Sequence, residues 1–414
     1  MSQAGNTRGA MPSALVVTVL VLLLGIQPVT TDLYLPALPS LPRELNSSVA
    51  AAQLTLSALI ICFGFAQLVC GPLADRFGRR PVLLIGLALY TLASVLAALS
   101  GSIEWLIFWR ACQGAAMAAA VTCGRSIVRD LHEPQDGARV MARALGGLGL
   151  MAFACPLLGG AVVHWFNWHA VLMCLAAFGA ATLAFVALRF VETVPRRNAD
   201  ATRLAPLLRN WAQILGDPCF RAFALLLATS YAGLFVLLAA SAFVFIEALG
   251  LSRITCGAIL ASNSLFYIAG TFLCRRLLIR RGLRQTVAIG GAFSLAGGLL
   301  TALLSLLGAH EFSVWSLIVP AWIYMLAHGI HQPCGQAGAV GPFPDKAGTA
   351  ASLSGFLMMV VAFGVGLLLG RSLNGTVFPL TLGLGVAGSC VALVAWTLVR
   401  RHGEPQVLPA PLPA

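Results

Sequence analysis

The sequence predicts an all-α integral membrane protein with twelve transmembrane helices in two six-helix, pseudo-symmetric halves. Three observations lead to this fold class: an apolar composition, the number of apolar runs and an internal repeat. Hydrophobic residues make up 59% of the 414 residues and charged residues only 10%, and the mean hydropathy is +0.90. Such a chain cannot cover itself with a soluble surface, so we expect a polytopic membrane protein.

Twelve apolar runs are separated by charged or turn-rich breaks. A helix needs about 20 apolar residues to cross a hydrocarbon core of about 30 Å, and these runs are of that order. The predicted spans are 13–36, 49–71, 81–100, 104–124, 139–162, 168–190, 220–246, 254–274, 285–308, 313–333, 349–370 and 376–399. The first run could be the h-region of a signal peptide, but only Arg8 precedes it and no A-x-A site follows, so we expect a retained span.

The basic residues are distributed unevenly between the predicted loops. With a cytoplasmic N-terminus, 22 of the 26 lysines and arginines fall on the inner side, and only Arg43, Arg253 and Arg371 fall on the outer side. Arg110 alone lies in the middle of a span. The positive-inside rule therefore predicts that both termini are cytoplasmic. The expected location is the inner (plasma) membrane. The net charge of +12 is expected to face anionic lipid headgroups, and no compact basic domain suggests nucleic-acid binding.

The two sets of six spans are related by an internal repeat. "LADRFGRRPV" follows span two and "LLIRRGLRQTV" follows span eight, and one offset aligns Arg76 with Arg280 and Gly78 with Gly282. Such a repeat is typical of transporters whose two halves rock around a central site. The predicted organisation is an N-terminal half (1–190), a cytoplasmic linker (191–219), a C-terminal half (220–402) and a cytoplasmic tail (403–414).

The loop "GPLADRFGRR" between spans two and three carries an acid and two glycines among its arginines. Glycine permits a sharp reversal, Asp75 is expected to face helix N-terminal amides, and the arginines are expected to pair with it or with headgroups. The loop resembles the signature G-x-L-a-D-r-x-G-r-r of the major facilitator superfamily. This resemblance implies the major facilitator fold and a cytoplasmic gating role for Gly71, Asp75, Arg76, Gly78, Arg79 and Arg80.

Further motifs point to the drug-export branch of that superfamily. "LIFWRACQGAAMA" is similar to the fourth-helix pattern with a buried arginine. "GLGLMAFACPLLGG" resembles the antiporter motif, with Pro156, Gly159 and Gly160 in register, although Met151 and Cys155 stand where many members have glycine. "TDLYLPALP", "VRDLHEP" and "FPDKAGTAASLSGF" resemble the bicyclomycin and chloramphenicol resistance (Bcr/CflA) subgroup. The resemblance covers residues 14–400, and it implies a fold and a transporter class but no substrate.

Asp32 and Arg110 are the strongest charged candidates for the membrane interior. An isolated charge there costs about 2.5–3.5 kcal/mol even on insertion scales, so a water-filled cavity or mutual pairing is expected. Asp32 is either the proton-coupling site or an interfacial residue, since residues 14–32 already span about 27 Å. Beyond it, Pro36 and Pro39 are expected to widen the helix end into a cavity mouth. Arg110 either lines a functional cavity or makes structural hydrogen bonds between helices.

Polar and aromatic residues in the middle of other spans are candidates to line a substrate cavity. They are Gln27, Gln113, Tyr231, Phe235, Asn263, Trp322, His328 and His331. His328 and His331 share one face of span ten, but no carboxylate or thiol at ligand spacing joins them. Polar lining or a proton-relay role is therefore favoured over a metal site. Apolar walls with a few polar groups suit amphiphilic substrates.

The sequence thus predicts a monomeric, proton-coupled antiporter that exports small organic compounds by alternating access. No Walker motif is present, so a proton gradient rather than ATP is the expected energy source, and no cofactor is expected. The alternative is a proton-coupled importer or exporter of one specific metabolite. A membrane-embedded hydrolase is disfavoured, because no H-E-x-x-H or comparable nucleophile constellation occurs.

Overall fold

The computed structural model describes residues 13–132, 134–194, 197–307 and 313–403, and every regular element within them is helical. Arg8, Arg196 and tail residues 404–414 lie outside the described residues. The long helices are α1 (Ser13–Asp32), α2 (Val49–Phe77), α3 (Arg79–Ala98), α4 (Ile103–Leu131), α5 (Pro134–Trp165), α6 (Trp168–Arg189), α7 (Pro218–Ala242), α8 and α9 (together Arg253–Leu307), α10 (Trp315–Val340), α11 (Ala347–Ser372) and α12 (Phe378–Val394).

The twelve predicted spans are confirmed. Ten segments of the described chain are long and apolar enough to cross a membrane. One of them, Arg253–Leu307, contains two helices, because the backbone leaves helical geometry at Gly282. Helix α10 (Trp315–Val340), with 26 residues and two internal prolines, brings the number of long helices in the described chain to twelve. We call α1–α6 the first bundle and α7–α12 the second bundle.

Several helices extend beyond their predicted ends at one face of the molecule. Helix α2 ends at Phe77 instead of residue 71, α4 at Leu131 instead of 124, and α10 at Val340 instead of 333. Hydropathy marks only the part of a helix that lies in hydrocarbon, whereas backbone hydrogen bonding continues through the headgroup layer. We call this arginine-rich end of the molecule the basic face, and the other end the opposite face.

The two glycines that the repeat aligned occupy equivalent junctions. Gly78 separates α2 from α3 as a single residue with φ 106°, and Gly282 separates α8 from α9 with φ 71°. Both values lie in the region that glycine adopts readily and that side chains with a Cβ avoid. Each glycine therefore reverses the chain within one residue at the basic face.

The end of α1 is compact rather than widened. After Asp32 the chain forms a 3-10 helix, Leu35–Ser40, and a single turn, Leu41–Glu44. Pro36 and Pro39 are both buried within the 3-10 helix. In this conformation both prolines therefore pack inside a tight helical turn, whose backbone their fixed φ suits.

The bundles meet along two helix pairs that rely on small residues. In the α2–α11 pair, a Cβ built at Gly64 would lie 2.7 Å from Met359, and one at Gly370 would lie 3.2 Å from Ala50. Helices α5 and α8 form the second pair and are described below. Between the bundles, the linker contains the helix Leu204–Gly216. Close approach of backbones is the usual basis of helix packing in membranes, where lipid tails compete for apolar contacts.

The linker bonds to both bundles at the basic face. The Asn198 amide donates to the Asp75 carbonyl at 3.0 Å, and Arg76 donates to the Thr202 hydroxyl. From the second bundle, Lys346 Nζ donates to Gln213 at 2.6 Å. These polar contacts place the linker across both bundles.

Candidate transport site

Asp32 is the last residue of α1, and its carboxylate has no cationic partner in the described part of the chain. Thr31 Oγ1 lies 2.7 Å from Asp32 Oδ1 and donates to it. Within the described residues, no lysine, arginine or histidine nitrogen lies within 4.0 Å of this carboxylate. A carboxylate at a helix C-terminus also faces the negative end of the helix dipole. The Asp32 carboxylate is therefore bonded to a neutral hydroxyl and not to a cation.

Asp32 lies where helices of both bundles converge. Gln27 precedes it by just over one turn of α1. Tyr231 of α7 lies within interaction range of both Gln27 and the Asp32 carboxylate. Cys155, within the antiporter motif of α5, also lies in electrostatic range of Asp32. The structure thus brings Gln27 and Tyr231, two predicted cavity residues, to the predicted proton site.

Arg110 is fully buried inside the first bundle. Its Nη1 donates to Gln113 Oε1 at 2.6 Å and its Nη2 donates to the Thr30 carbonyl at 3.3 Å. The guanidinium carbon lies 4.1 Å from the centre of the Tyr34 ring. Nε has no hydrogen-bond partner. The ion pair with Asp32 that the sequence allowed does not form, because the guanidinium is directed to the α1 backbone two residues earlier.

The Arg110 network joins four helices. Gln113 Nε2 donates to Ser94 Oγ at 2.6 Å. The Tyr90 and Thr30 hydroxyls lie 2.7 Å apart, and the Tyr34 and Thr55 hydroxyls 2.9 Å apart. These hydroxyl residues of α1, α2 and α3 were missed by sequence analysis, although polar groups inside apolar spans are the available signal for them. The network fixes the end of α1 beside Asp32.

The two histidines of α10 point to different helices. His328 Nδ1 lies 2.9 Å from the Ser230 hydroxyl of α7, whereas His331 Nε2 donates to the Val287 carbonyl of α9 at 3.3 Å. Both are buried. No group of three potential metal ligands occurs among the described residues. Although the two histidines share one face of α10, as the sequence predicted, each therefore contacts a different helix.

The remaining predicted cavity residues, Trp322, Asn263 and Phe235, contact other parts of the second bundle. Trp322 donates to Ser262 at 2.8 Å and stacks on Phe266 with a centroid separation of 4.6 Å. Asn263 lines a small cavity inside the second bundle. Phe235 is fully buried and faces Gly366 of α11. In this conformation these three residues make separate contacts within the second bundle.

The loop motif at the basic face is centred on Arg79. This side chain is only 4% exposed, and it bonds Asp75 at 2.6 Å and Asp130 at 3.0 Å. Its neighbour Arg80 donates to the Phe190 and Ala187 carbonyls at 3.0 and 2.9 Å. The motif thus ties the α2–α3 junction to the ends of α4 and α6, all within the first bundle.

Glu192, which sequence analysis missed, takes the role expected of Asp75. Its carboxylate accepts hydrogen bonds from the amides of Arg79 and Arg80 at 2.9 and 3.2 Å, and so caps the start of α3. Gly78 leaves the space for it, because a Cβ there would collide with the Glu192 carboxylate. A carboxylate at helix N-terminal amides is favourable on both hydrogen-bonding and dipole grounds.

The antiporter motif forms the α5 side of a bundle contact. A Cβ built at Gly160 would lie 2.5 Å from the Arg253 carbonyl at the start of α8, and one at Gly257 would collide with the Pro156 carbonyl. Gly159 instead faces the Leu33 carbonyl at the end of α1. The motif therefore packs against the second bundle through Gly160 and against the Asp32 segment through Gly159.

Comparison with known proteins identifies relatives over most of the chain. A profile of the Major Facilitator Superfamily matches residues 20–367. Multidrug resistance protein D of Escherichia coli is 30% identical over 82% of this chain and 84% of its own. The chloramphenicol resistance protein of Pseudomonas aeruginosa is 29% identical, and the match covers 91% of this chain and 90% of that protein. The crystal structure of a D-xylose-proton symporter superposes with a TM-score of 0.72 over 92% of this chain and 97% of its own, at 15% identity.

Proposed function

The chain belongs to the major facilitator superfamily, within the Bcr/CflA drug-efflux subgroup, and we propose that it exports small amphiphilic organic compounds in exchange for protons. The observation that carries this proposal is the unpaired Asp32 carboxylate at the seam of the two bundles. A membrane acid with no cationic partner is a proton-site candidate. The antiporter motif packs directly beside it.

In the proposed cycle, Asp32 holds a proton in one state and is charged in the other. Arg110 keeps α1 in place through the Thr30 carbonyl and contributes a fixed positive charge to the first bundle. Tyr231 approaches Asp32 from the second bundle, so a movement between the bundles changes the surroundings of the carboxylate. Substrate and proton then compete for one region, which couples their opposite movements.

The proposed orientation follows from the arginines. Lipid headgroups on the cytoplasmic side are anionic, so the basic face, with both termini, is placed in the cytoplasm. The opposite face is then external.

The loop motif, from Gly71 to Arg80, is proposed to stabilise the closed state of the basic face. The two bundles are proposed as the moving halves, with residues 191–219 as their linker. The proposed unit is a monomer.

The function is tested in a bacterial host that lacks its own drug pumps. Expression of the chain should raise resistance to some members of a panel of toxic amphiphiles. In everted membrane vesicles with an internal acidic pH, adding such a compound should cause proton efflux, reported by a pH-sensitive dye. The Asp32→Asn variant at equal expression is the control and should give neither effect.

The direction of transport separates this proposal from a metabolite importer. Everted vesicles of an exporter accumulate substrate when their interior is acidic, whereas an importer releases it. Substrate accumulation by right-side-out vesicles with an acidic exterior would contradict export. Lack of proton movement with every effective compound would contradict antiport.

A further inference from the structure

Helix α5 contains a carbonyl that its own helix cannot satisfy. In an α-helix the N–H of residue i+4 donates to the carbonyl of residue i. Pro156 has no N–H, so the Ala152 carbonyl lacks this donor. An unsatisfied carbonyl is costly in a membrane, and side chains of neighbouring helices are one means of satisfying it.

The missing donor comes from the second bundle. Ser264 Oγ of α8 lies 3.1 Å from the Ala152 carbonyl oxygen and donates to it. Ser262 and Thr271, on the same helix, instead donate to carbonyls of α8 itself, at 2.6 and 2.7 Å. Serine and threonine in membrane helices commonly bond to their own helix in this way. The hydroxyl of Ser264 is therefore directed across the bundle interface.

A second donor from α8 acts nearer the opposite face. Arg253 Nη1 donates to the Val163 carbonyl at 3.1 Å. Val163 lies in the last turn of α5, where carbonyls have no helical partner and a positive charge interacts favourably with the helix dipole. Between the two bonds, Gly160 and Gly257 allow the backbones to touch. The α5–α8 contact is thus a close-packed strip with a bond from α8 to α5 on each side.

We propose that the Ser264–Ala152 hydrogen bond is a latch that holds the opposite face closed, and that Pro156 supplies its acceptor. This inference rests on the proposed alternating access, in which α5 and α8 separate at this face when the site opens there. On separation Ser264 can bond to its own helix and water can reach Ala152, so the latch releases without leaving a buried group unpaired. Ser264 is a positioning residue: it touches neither Asp32 nor Arg110.

The first test measures the opening of the opposite face directly. Spin labels on a genetically encoded keto amino acid, which avoids the eleven native cysteines, are placed at the exposed loop positions Gly101 and Thr376. Molecules closed at this face give a short distance between the labels, and open molecules give a long one. The ratio of the two populations is the quantity measured. Removing one hydrogen bond should lower this ratio about fivefold in Ser264→Ala.

Three further variants define the cause of the shift. Ser264→Thr keeps the hydroxyl and should restore the wild-type ratio. Ser264→Cys, a weak donor, should shift the ratio in the same direction as alanine and serves if the alanine variant fails to fold. Thr271→Val, which removes a hydroxyl bonded within α8, should leave the ratio unchanged. An unchanged ratio in folded Ser264→Ala or Ser264→Cys overturns the latch.

A double-mutant cycle tests the role of Pro156. Pro156→Ala restores an N–H that can donate to Ala152 within α5, so the carbonyl no longer depends on Ser264. In this background Ser264→Ala should change the distance ratio by less than twofold, compared with about fivefold in the wild-type background. An equal shift in both backgrounds would show that Ser264 acts independently of the carbonyl, and would overturn the proposal.

Transport kinetics separate a latch from a general structural role. In Ser264→Ala, the maximal rate of proton-driven transport should change while the thermal midpoint of the purified protein stays near that of wild type. The distance measurement needs no substrate. If the wild type transports none of the test compounds, the proposed function fails while the latch is still decided by the distances; if it transports and the distances do not move, the latch alone fails.

Discussion

At the residue scale, Asp32 is half-buried and Arg110 is fully buried, and the two charged side chains do not neutralise each other. Arg110 bonds a backbone carbonyl, an amide and an aromatic ring, and Asp32 bonds a neighbouring hydroxyl. A stable ion pair would hold both groups charged in every state. Separate placement leaves the carboxylate free to respond to a change in its surroundings, which is what proton coupling requires.

The first residue-scale prediction concerns the Asp32 proton. An aspartate has an ordinary pKa of about 3.9, and asparagine imitates its protonated form at every pH. Substrate-induced proton release from purified Asp32→Asn should therefore be absent. Release is measured in weakly buffered detergent solution, with binding followed in parallel by fluorescence. Wild-type release from the variant would show that Asp32 is interfacial and that the coupling site lies elsewhere, with His328 and His331 next.

The second residue-scale prediction separates the charge of Arg110 from its hydrogen bonds. Arg110→Gln removes the charge but keeps an amide donor for Thr30 or Gln113. If the charge acts on the proton site, substrate-induced proton release should be lost while the protein remains folded. Arg110→Lys, which keeps a charge but not the guanidinium fork, should retain part of the release. Full release from a folded Arg110→Gln variant would favour the purely structural role.

At the element scale, α5 combines three contacts within two turns. Gly159 touches the end of α1, Gly160 touches the start of α8, and Pro156 frees a carbonyl for Ser264. Movement of α5 therefore changes both the bundle contact and the Asp32 segment. This arrangement gives the antiporter motif a direct physical link to the proposed proton site.

The element-scale prediction tests this contact with matched glycines of α5. Gly160→Leu places a side chain against the Arg253 carbonyl and should force α5 from α8, leaving the protein leaky to protons or inactive. Gly146→Leu is the control, because nothing lies within 4 Å of a Cβ at Gly146, and it should retain normal efflux. Proton leak is measured in reconstituted vesicles without substrate. Normal coupling in Gly160→Leu would show that the close contact is dispensable.

The sequence predicted the features that depend on the hydropathy of a whole segment or on a local sequence pattern. Twelve spans follow from hydropathy averaged over about 20 residues, and the Gly78–Gly282 correspondence follows from one shared offset. Glu192 and Ser264 could not be predicted, because their partners lie 113 and 112 residues away. An acid after a span or a serine within one is ordinary in isolation. Only the packing of the helices gives these side chains their partners.

At the scale of the whole molecule, each face has its own polar contact. The opposite face has the α5–α8 bonds, which cross between the bundles. At the basic face, Arg79 holds the end of α4 through Asp130. One residue earlier, the Arg129 guanidinium lies against the start of α11, 3.3 Å from a Cβ built at Gly348. The loop motif therefore reaches the second bundle indirectly, through the position of α4.

The final prediction is that Asp130→Asn loosens the basic face. Loss of the carboxylate removes one of two anionic partners of the nearly buried Arg79, so the end of α4 and its contact with α11 should become less defined. Labels at the exposed positions Leu188 and Arg401 should report a higher ratio of long to short distances, by about tenfold or more if a charged hydrogen bond is lost. Asp136→Asn is the control, because its ion pair with Arg139 is exposed on both sides and such pairs contribute little. Equal distance distributions for Asp130→Asn, Asp136→Asn and the wild type would show that the loop motif only shapes the first bundle and has no part in closing the basic face.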